Sequence, residues 1–167
     1  MFNSIEGFKH SWKNHSESTR KMLAALTDPS LSQSVASDHR TIGRLAWHIA
    51  TSIPEMMTRL GLKFEGIDHE APVPKTAAEI QKAYNVAAGT LIDQVSKNWN
   101  DDTLKIVDDM YGEKWARGLT LRILIDHEIH HRGQLTVLMR QAGLKVPGIM
   151  GPSFEEWNQY GMKPPQV

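Results

Sequence analysis

The chain contains no cysteine. This absence excludes a disulfide framework, a thiolate metal site and a cysteine nucleophile. A protein without disulfides is typical of the cytosol, and we expect a cytoplasmic location. Long apolar runs are also missing, so no segment is predicted to span a membrane. The N-terminal residues lack the basic region and apolar stretch of a signal peptide, which argues against secretion.

A charge excess of either sign is absent as well. Nineteen basic and nineteen acidic residues give a formal net charge of zero. A neutral chain lacks the overall electrostatic attraction to nucleic acids or anionic membranes, and we expect neither as a partner. The 167 residues, 40% of them hydrophobic, suffice for a core. We therefore predict one domain spanning residues 1–167.

Apolar residues recur at intervals of three or four along four segments, which predicts four amphipathic helices. Thr76 and Glu79 form the pattern of a capping box at the start of the third helix. Gly143 is typical of the position that follows a helix. The predicted helices cover residues 5–26, 41–60, 76 through at least 95, and 120–142.

The remaining segments connect these helices or follow them. Residues 61–75 contain proline and glycine without helical periodicity, and their length allows a crossover between the second and third helices. The link before the fourth helix is either a short hairpin or irregular. The tail is rich in proline and glycine, with prolines at 147, 152, 164 and 165. We predict an all-α four-helix bundle, with a crossover connection and this C-terminal tail.

Three of the eight histidines lie in the stretch DHEIHHRGQL, residues 126–135. His127 and His131 are four positions apart, which places both on one face of a helix. His130 points elsewhere because it is rotated by about 100° from His131. Two imidazoles at this spacing are able to bind one divalent metal ion. Their alternative role is to pack in the core as hydrogen-bonded residues.

A pair of ligands makes a poor site, so a third is required. His48 is the best candidate because it lies in the middle of the second predicted helix, beside its apolar stripe. His10, His15, His39 and His69 occupy polar or loop-like settings, although His15 lies on the first helix's stripe. Three histidines would leave coordination positions open, as in catalytic metal sites. A packed core histidine is the alternative for His48.

Residues 127–131 also match the pattern H-E-x-x-H, in which two histidines bind zinc and a glutamate activates water. In this reading Glu128 is the catalytic base, and Glu155 or Glu156 supplies the third ligand. The chain offers little strand for binding a peptide, and both glutamates follow a break rich in proline and glycine. A zinc metallopeptidase is therefore the alternative function.

The stretches IGRLAWHIA, around His48, and HEIHHRGQLTVLMRQAGLKVP, from His127 to Pro147, resemble the DinB family. This resemblance covers nearly the whole chain in helix order. It implies a four-helix bundle, a homodimer, and a divalent metal site for nickel or zinc. The implied ligands are His48, His127 and His131. It also implies that the H-E-x-x-H match is a coincidence and that Glu128 either faces away from the metal or serves a neighbouring role.

Relatives of this family include S-transferases that use a low-molecular-weight thiol such as bacillithiol. The resemblance thus implies a metal-dependent enzyme whose open position takes a thiol, which the metal converts to the nucleophilic thiolate. A metal-bound water would instead make a hydrolase. Glu55 is a candidate base or ligand-orienting group, with a plain surface carboxylate as the alternative. A non-catalytic, metal-binding dimeric scaffold is a further alternative.

Overall fold

The computed structural model describes residues 1–68 and 70–166. Over these residues the chain forms four α-helices and one antiparallel hairpin, which confirms the predicted all-α bundle. The hairpin is one of the two forms expected for the link before the last helix. The elements are α1 (Ile5–Ala24), α2 (Ile42–Thr58), α3 (Ala77–Asn98), β1 (Val107–Met110), β2 (Glu113–Ala116) and α4 (Arg117–Gln141).

Local sequence signals set most of the helix boundaries. The Thr41 hydroxyl accepts a hydrogen bond from the backbone N–H of Arg44 and so caps α2. Thr76 and Glu79 form the predicted capping box at the start of α3. Gly143 adopts a φ of 74° just beyond α4, as its position predicted. The two caps, and the hydrogen bond from the Gly143 N–H to the Arg140 carbonyl, satisfy backbone groups that helix ends leave without partners.

The fourth helix begins three residues before the predicted start at Thr120. Its N-cap, Ala116, makes no side-chain hydrogen bond, so no capping signal marks the boundary. The chain passes directly from β2 into α4, and Ala116 is the residue that pairs with Val107 in the hairpin. Pairing between the strands therefore sets this boundary.

The helices do not pack side by side in the order in which they follow one another along the chain. The main contacts join α1 to α3 and α4, and join α2 to the same two helices. Helices α1 and α2 thus occupy diagonal positions. The crossover expected in the long segment between α2 and α3 instead lies in the α1–α2 and α3–α4 connections, because α2 and α3 are direct neighbours.

The core lies between the apolar faces predicted from periodicity. The largest buried side chains of α1 are Phe8, Trp12 and Met22, and the Trp12 indole donates to the carbonyl of Ala88 in α3 at 3.1 Å. The core therefore holds α1 and α3 together by both apolar packing and a buried hydrogen bond.

None of the helices in the described part of the chain is long and apolar enough to cross a membrane.

An ion pair attaches the C-terminal tail to the bundle, and backbone hydrogen bonds within the tail shape it. Glu155 pairs with Arg140 of α4 at 2.7 Å. Glu156 accepts hydrogen bonds from the backbone N–H groups of Gly148 and Ser153, at 2.9 and 3.2 Å. Both glutamates are thus occupied in holding the tail.

Candidate metal centre

The middle of α2 presents His48 between two buried residues, Trp47 and Ile49. His48 itself is half-buried, so its ring lies at the edge of the core. Its backbone carbonyl accepts a hydrogen bond from the Ser52 hydroxyl at 2.7 Å, one turn further along. The helix thus holds this imidazole against the bundle while leaving it partly accessible.

Helix α4 supplies the other two histidines of the site. His127 and His131 are one turn apart, with ring centroids separated by 4.3 Å. The Nε2 atom of His127 lies 3.0 Å from that of His131 and 3.3 Å from that of His48. One nitrogen from each of the three rings lies within 4.8 Å of the others. The structure therefore brings together the three histidines selected from the sequence.

Gln134 orients two of the histidines of α4. Its side-chain oxygen lies 2.8 Å from Nδ1 of His131, and its amide nitrogen lies 3.0 Å from Nε2 of His130. An Nδ1–H on His131 donates to that oxygen, which leaves its Nε2 lone pair free to face the other two rings. His130 is exposed and accepts from the amide, outside the cluster as predicted.

The three imidazoles are held in their neutral forms. Burial, together with the positive charge of Arg40, lowers the pKa of His48 to about 3. Burial and the neighbouring His131 lower the pKa of His127 to about 4. The pKa of His131 is also lowered, chiefly by burial. Neutral imidazoles offer lone pairs to a metal ion, so the site is prepared for coordination near neutral pH.

Glu128 faces away from the histidines, into the bundle. Its side chain is fully buried, and one carboxylate oxygen accepts hydrogen bonds from Thr19 at 3.0 Å and Tyr84 at 3.2 Å. The guanidinium of Arg132 lies 3.8 Å from the same oxygen. Burial raises the pKa of Glu128 to about 7 despite these partners. This carboxylate therefore joins α4 to α1 and α3 instead of facing the cluster.

Arg132 fastens α4 to the first helix. Its Nη1 donates to the carbonyl of His15 at 2.7 Å and to the Thr19 hydroxyl at 2.9 Å. Its other terminal nitrogen lies 3.2 Å from Nδ1 of His15. Arg132 thus has a structural role, and it places His15 beside a guanidinium and away from the three-histidine cluster.

The remaining histidines take no part in the cluster within the described residues. His10 is exposed on α1, and His39 is exposed and pairs with Asp38 at 2.7 Å. His69 lies outside the described residues. The choice of His48 as the partner of the α4 pair is therefore the one that the geometry supports.

Glu55 lies about two turns beyond His48 and is held from two sides. The Tyr111 hydroxyl donates to its carboxylate at 2.6 Å, and Arg59 pairs with it at 3.1 Å. Tyr111 occupies the hairpin turn with a φ of 59°, a conformation that is uncommon for a residue with a side chain. Burial and positive neighbours lower the pKa of His127, and the negative charge of Glu55 opposes this shift as the smallest contribution. Glu55 thus lies close enough to influence the site without belonging to the cluster.

Sequence reasoning missed three features around the site. Gln134 bonds two histidines of its own helix, a role that was not predicted. Its spacing of three and four residues from them is the local signal for this role. Arg40 and Tyr111 lie on loops, and their proximity to the site depends on the tertiary fold. No local pattern marks them.

Comparison with known proteins agrees with this architecture. The model of the DinB family matches residues 1–165. The YrdA protein of Bacillus subtilis (strain 168) is 40% identical over 167 residues, covering all of both chains. The crystal structure of a DinB-like protein from Bacillus cereus ATCC 10987 superposes with a TM-score of 0.86 at 47% identity, covering 89% of this chain and 99% of that one.

A second crystal structure shares only the fold. The DinB-like protein YjoA from Bacillus subtilis has a TM-score of 0.67 at 17% identity, covering 86% of this chain and 97% of that one. The family match extends over nearly every residue, and the curated relative aligns from end to end. The chain therefore belongs to the DinB family.

Proposed function

We propose that this protein binds one divalent metal ion through His48, His127 and His131. The separation of their nitrogen atoms carries this proposal. Imidazole ligands at roughly 2.0–2.1 Å from a tetrahedral metal lie about 3.3 Å from one another. The Nε2 atoms of His48 and His127 are 3.3 Å apart, and those of His127 and His131 are 3.0 Å apart. Two of the three distances thus match those between ligands of one tetrahedral ion, and all three nitrogens lie within 4.8 Å of one another.

The donor set and its exposure favour catalysis over a structural metal. Three neutral imidazoles suit zinc and nickel, and they leave at least one coordination position for another ligand. The group of potential ligands in the described residues contains these three histidines and no fourth residue. His48 and His127 are half-buried, so a small molecule has access to the site. We infer a metal-dependent enzyme acting on a small molecule.

Within this role, a thiol-dependent S-transferase of the bacillithiol type is the reaction we propose. A bound divalent ion lowers the pKa of a thiol and so favours the nucleophilic thiolate. The chain has no cysteine, so the thiol must come from a separate molecule. Gln134 orients His131, and Glu55 is the carboxylate best placed to orient a ligand or accept a proton. Zinc and nickel remain the expected ions, and the homodimer and cytoplasmic location remain predictions.

The metallopeptidase alternative requires Glu128 to reach a metal-bound water. The Glu128 carboxylate instead contacts Thr19 and Tyr84 in the core, on a different face of α4 from the histidines. Glu155 and Glu156 hold the tail and do not join the cluster. This geometry argues against the peptidase. A non-catalytic scaffold would have its histidines sealed, metal-free or closed by a fourth protein ligand. The partial exposure of His48 and His127 argues against sealing, and no fourth ligand joins the cluster within the described residues.

Metal analysis of untagged protein tests the proposal. Plasma mass spectrometry should find close to one equivalent of zinc or nickel in the wild type and almost none in His48→Ala. His10→Ala is the matched control, because His10 is exposed and outside the cluster. Wild-type protein that stays metal-free after incubation with either ion would refute the proposal. Metal retained by His48→Ala would show that the third ligand is another residue.

A further inference from the structure

A cavity of about 390 Å³ lies between α4 and the C-terminal tail. Helix α4 contributes Ile129, Gly133 and Thr136 to its wall, and residues 146–153 of the tail line the other side. Gly133 is two positions from His131, which rotates it by about 200° around the helix axis. The cavity is therefore on the opposite side of α4 from the three-histidine cluster, and the proposed function makes no use of it.

Gly133 leaves an unfilled space in the wall of this cavity. A Cβ atom added to it would meet nothing within 4 Å in the described structure beyond the backbone of its own turn. Glycine destabilises the interior of a helix relative to alanine, and a close approach to the backbone is one reason for its presence. The space over Gly133 therefore suits a bound molecule that lies against bare helix backbone.

Arg132 also lines the cavity, although its side chain is only 4% exposed. Its Nη1 donates to His15 and Thr19, and its Nη2 lies 3.2 Å from Nδ1 of His15. The Nε–H and the second Nη2–H have no acceptor among the described residues. The Glu128 carboxylate lies 3.8 Å from Nη1, so it does not hydrogen-bond there. Nε and Nη2 share one edge of the guanidinium, and such an edge binds a carboxylate through two parallel hydrogen bonds.

The tail adds another unpaired polar group to the wall. The Ser153 hydroxyl oxygen is buried and makes no hydrogen bond within the described residues, and rotation about one bond turns it toward a ligand. Arg140, the second cation of the wall, is paired with Glu155 at 2.7 Å. No acidic residue in the described part of the chain lines the cavity, so an anion meets no repulsion there. The remaining wall is mainly apolar, with Ile129, Val146, Pro147, Ile149, Met150 and Pro152.

We propose that this cavity binds a small apolar carboxylate, such as a short-chain fatty acid. The free edge of Arg132 and the Ser153 hydroxyl bind the carboxylate, and the hydrocarbon chain lies over Gly133 against the apolar wall. A cavity of this size, with apolar walls and a few polar groups, is typical of a small-molecule site. The site is separate from the metal centre and goes beyond the proposed function.

Calorimetric titration of the purified protein tests this site with hexanoate and hexanamide, a neutral counterpart of nearly equal size. The wild type should bind one equivalent of hexanoate about ten-fold more tightly than the amide, or better, because the charge-assisted hydrogen bonds require a carboxylate. Gly133→Leu should abolish binding, since its side chain fills the cavity. Ser153→Ala should lower the affinity about five-fold through the loss of one hydrogen bond.

Gly89→Leu is the matched control. Gly89 also lies in the interior of a helix, α3, with open space around it, but it does not line this cavity. This variant should bind hexanoate as the wild type does. Equal affinities of the two probes in the wild type, no binding of hexanoate, or unchanged binding by Gly133→Leu would overturn the carboxylate site. A wild-type dimer that ignores hexanoate and becomes monomeric in Gly133→Leu would also overturn it, and would assign this face of α4 to a second copy of the chain.

Discussion

Lowering the pH from 7.5 to 5.5 should weaken metal binding by less than two-fold through His48 and His127. A histidine with an ordinary pKa of about 6.5 is roughly nine-tenths neutral at pH 7.5 and one-tenth neutral at pH 5.5. Two such ligands would weaken metal binding about 100-fold over this range, since protons compete for both lone pairs. In this protein burial lowers the pKa of His48 to about 3 and of His127 to about 4.

With these values both rings stay more than nine-tenths neutral at pH 5.5 by the same relation. His131 acts in the same direction, because burial also lowers its pKa. A lowered pKa keeps the imidazole neutral down to a more acidic pH, so its lone pair stays free to bind the metal. Only below about pH 4 should protons begin to compete strongly with the metal for His127.

The assay is competition for zinc between the protein and a chelator whose own pH dependence is known. Circular dichroism at each pH verifies that the protein remains folded. A short peptide with two exposed histidines four residues apart serves as the control and should show the full loss. A fall of about 100-fold in the protein would refute the reasoning, since it would mean that water screens the rings as it does in a peptide.

Two further predictions concern the residues that support the site. Gln134→Ala should lower zinc affinity about 10–100-fold, because His131 loses the acceptor that fixes its tautomer; Gln141→Ala, at the exposed end of α4, should not, and equal effects would refute the role of Gln134. Arg132→Met should lower the free energy of unfolding by about 1–3 kcal/mol in urea at pH 7, because it removes the buried hydrogen bonds to His15 and Thr19, while Glu128, with a pKa of about 7, becomes protonated instead of staying charged. A loss below about 1 kcal/mol would contradict the importance of these hydrogen bonds for stability.

The helices could be predicted where local chemistry determines them. Thr41 and Thr76 cap helices through their own side chains, and Gly143 adopts a conformation that suits glycine. Each signal involves neighbours within four residues. The start of α4 at Arg117 carried no such signal, because pairing between the two strands sets it. Which helices lie diagonally was likewise unpredictable, since it depends on packing between distant segments.

The residues of the candidate site fall into the same two groups: some are indicated by local sequence, and others are brought near by tertiary packing. The pair His127 and His131 follows from helical spacing, and the apolar stripe of α2 indicated His48. Gln134 bonds within its own turn, so its spacing was sufficient to predict its role. Arg40 lies in a loop that precedes α2, yet it lines the same cavity as His131 of α4, which is far away in sequence. Such a long-range approach leaves no periodic pattern.

The proposed metal would join helices that are remote in sequence. His48 and His127 are 79 positions apart, and their nitrogen atoms are 3.3 Å apart. An ion bound to both closes a long loop, and loop closure removes conformational entropy from the unfolded chain. A chain without cysteine is unable to form a covalent cross-link of its own. Metal availability would then set how firmly α2 and α4 are tied together, so that a chelator acts on this protein as a reducing agent acts on a disulfide.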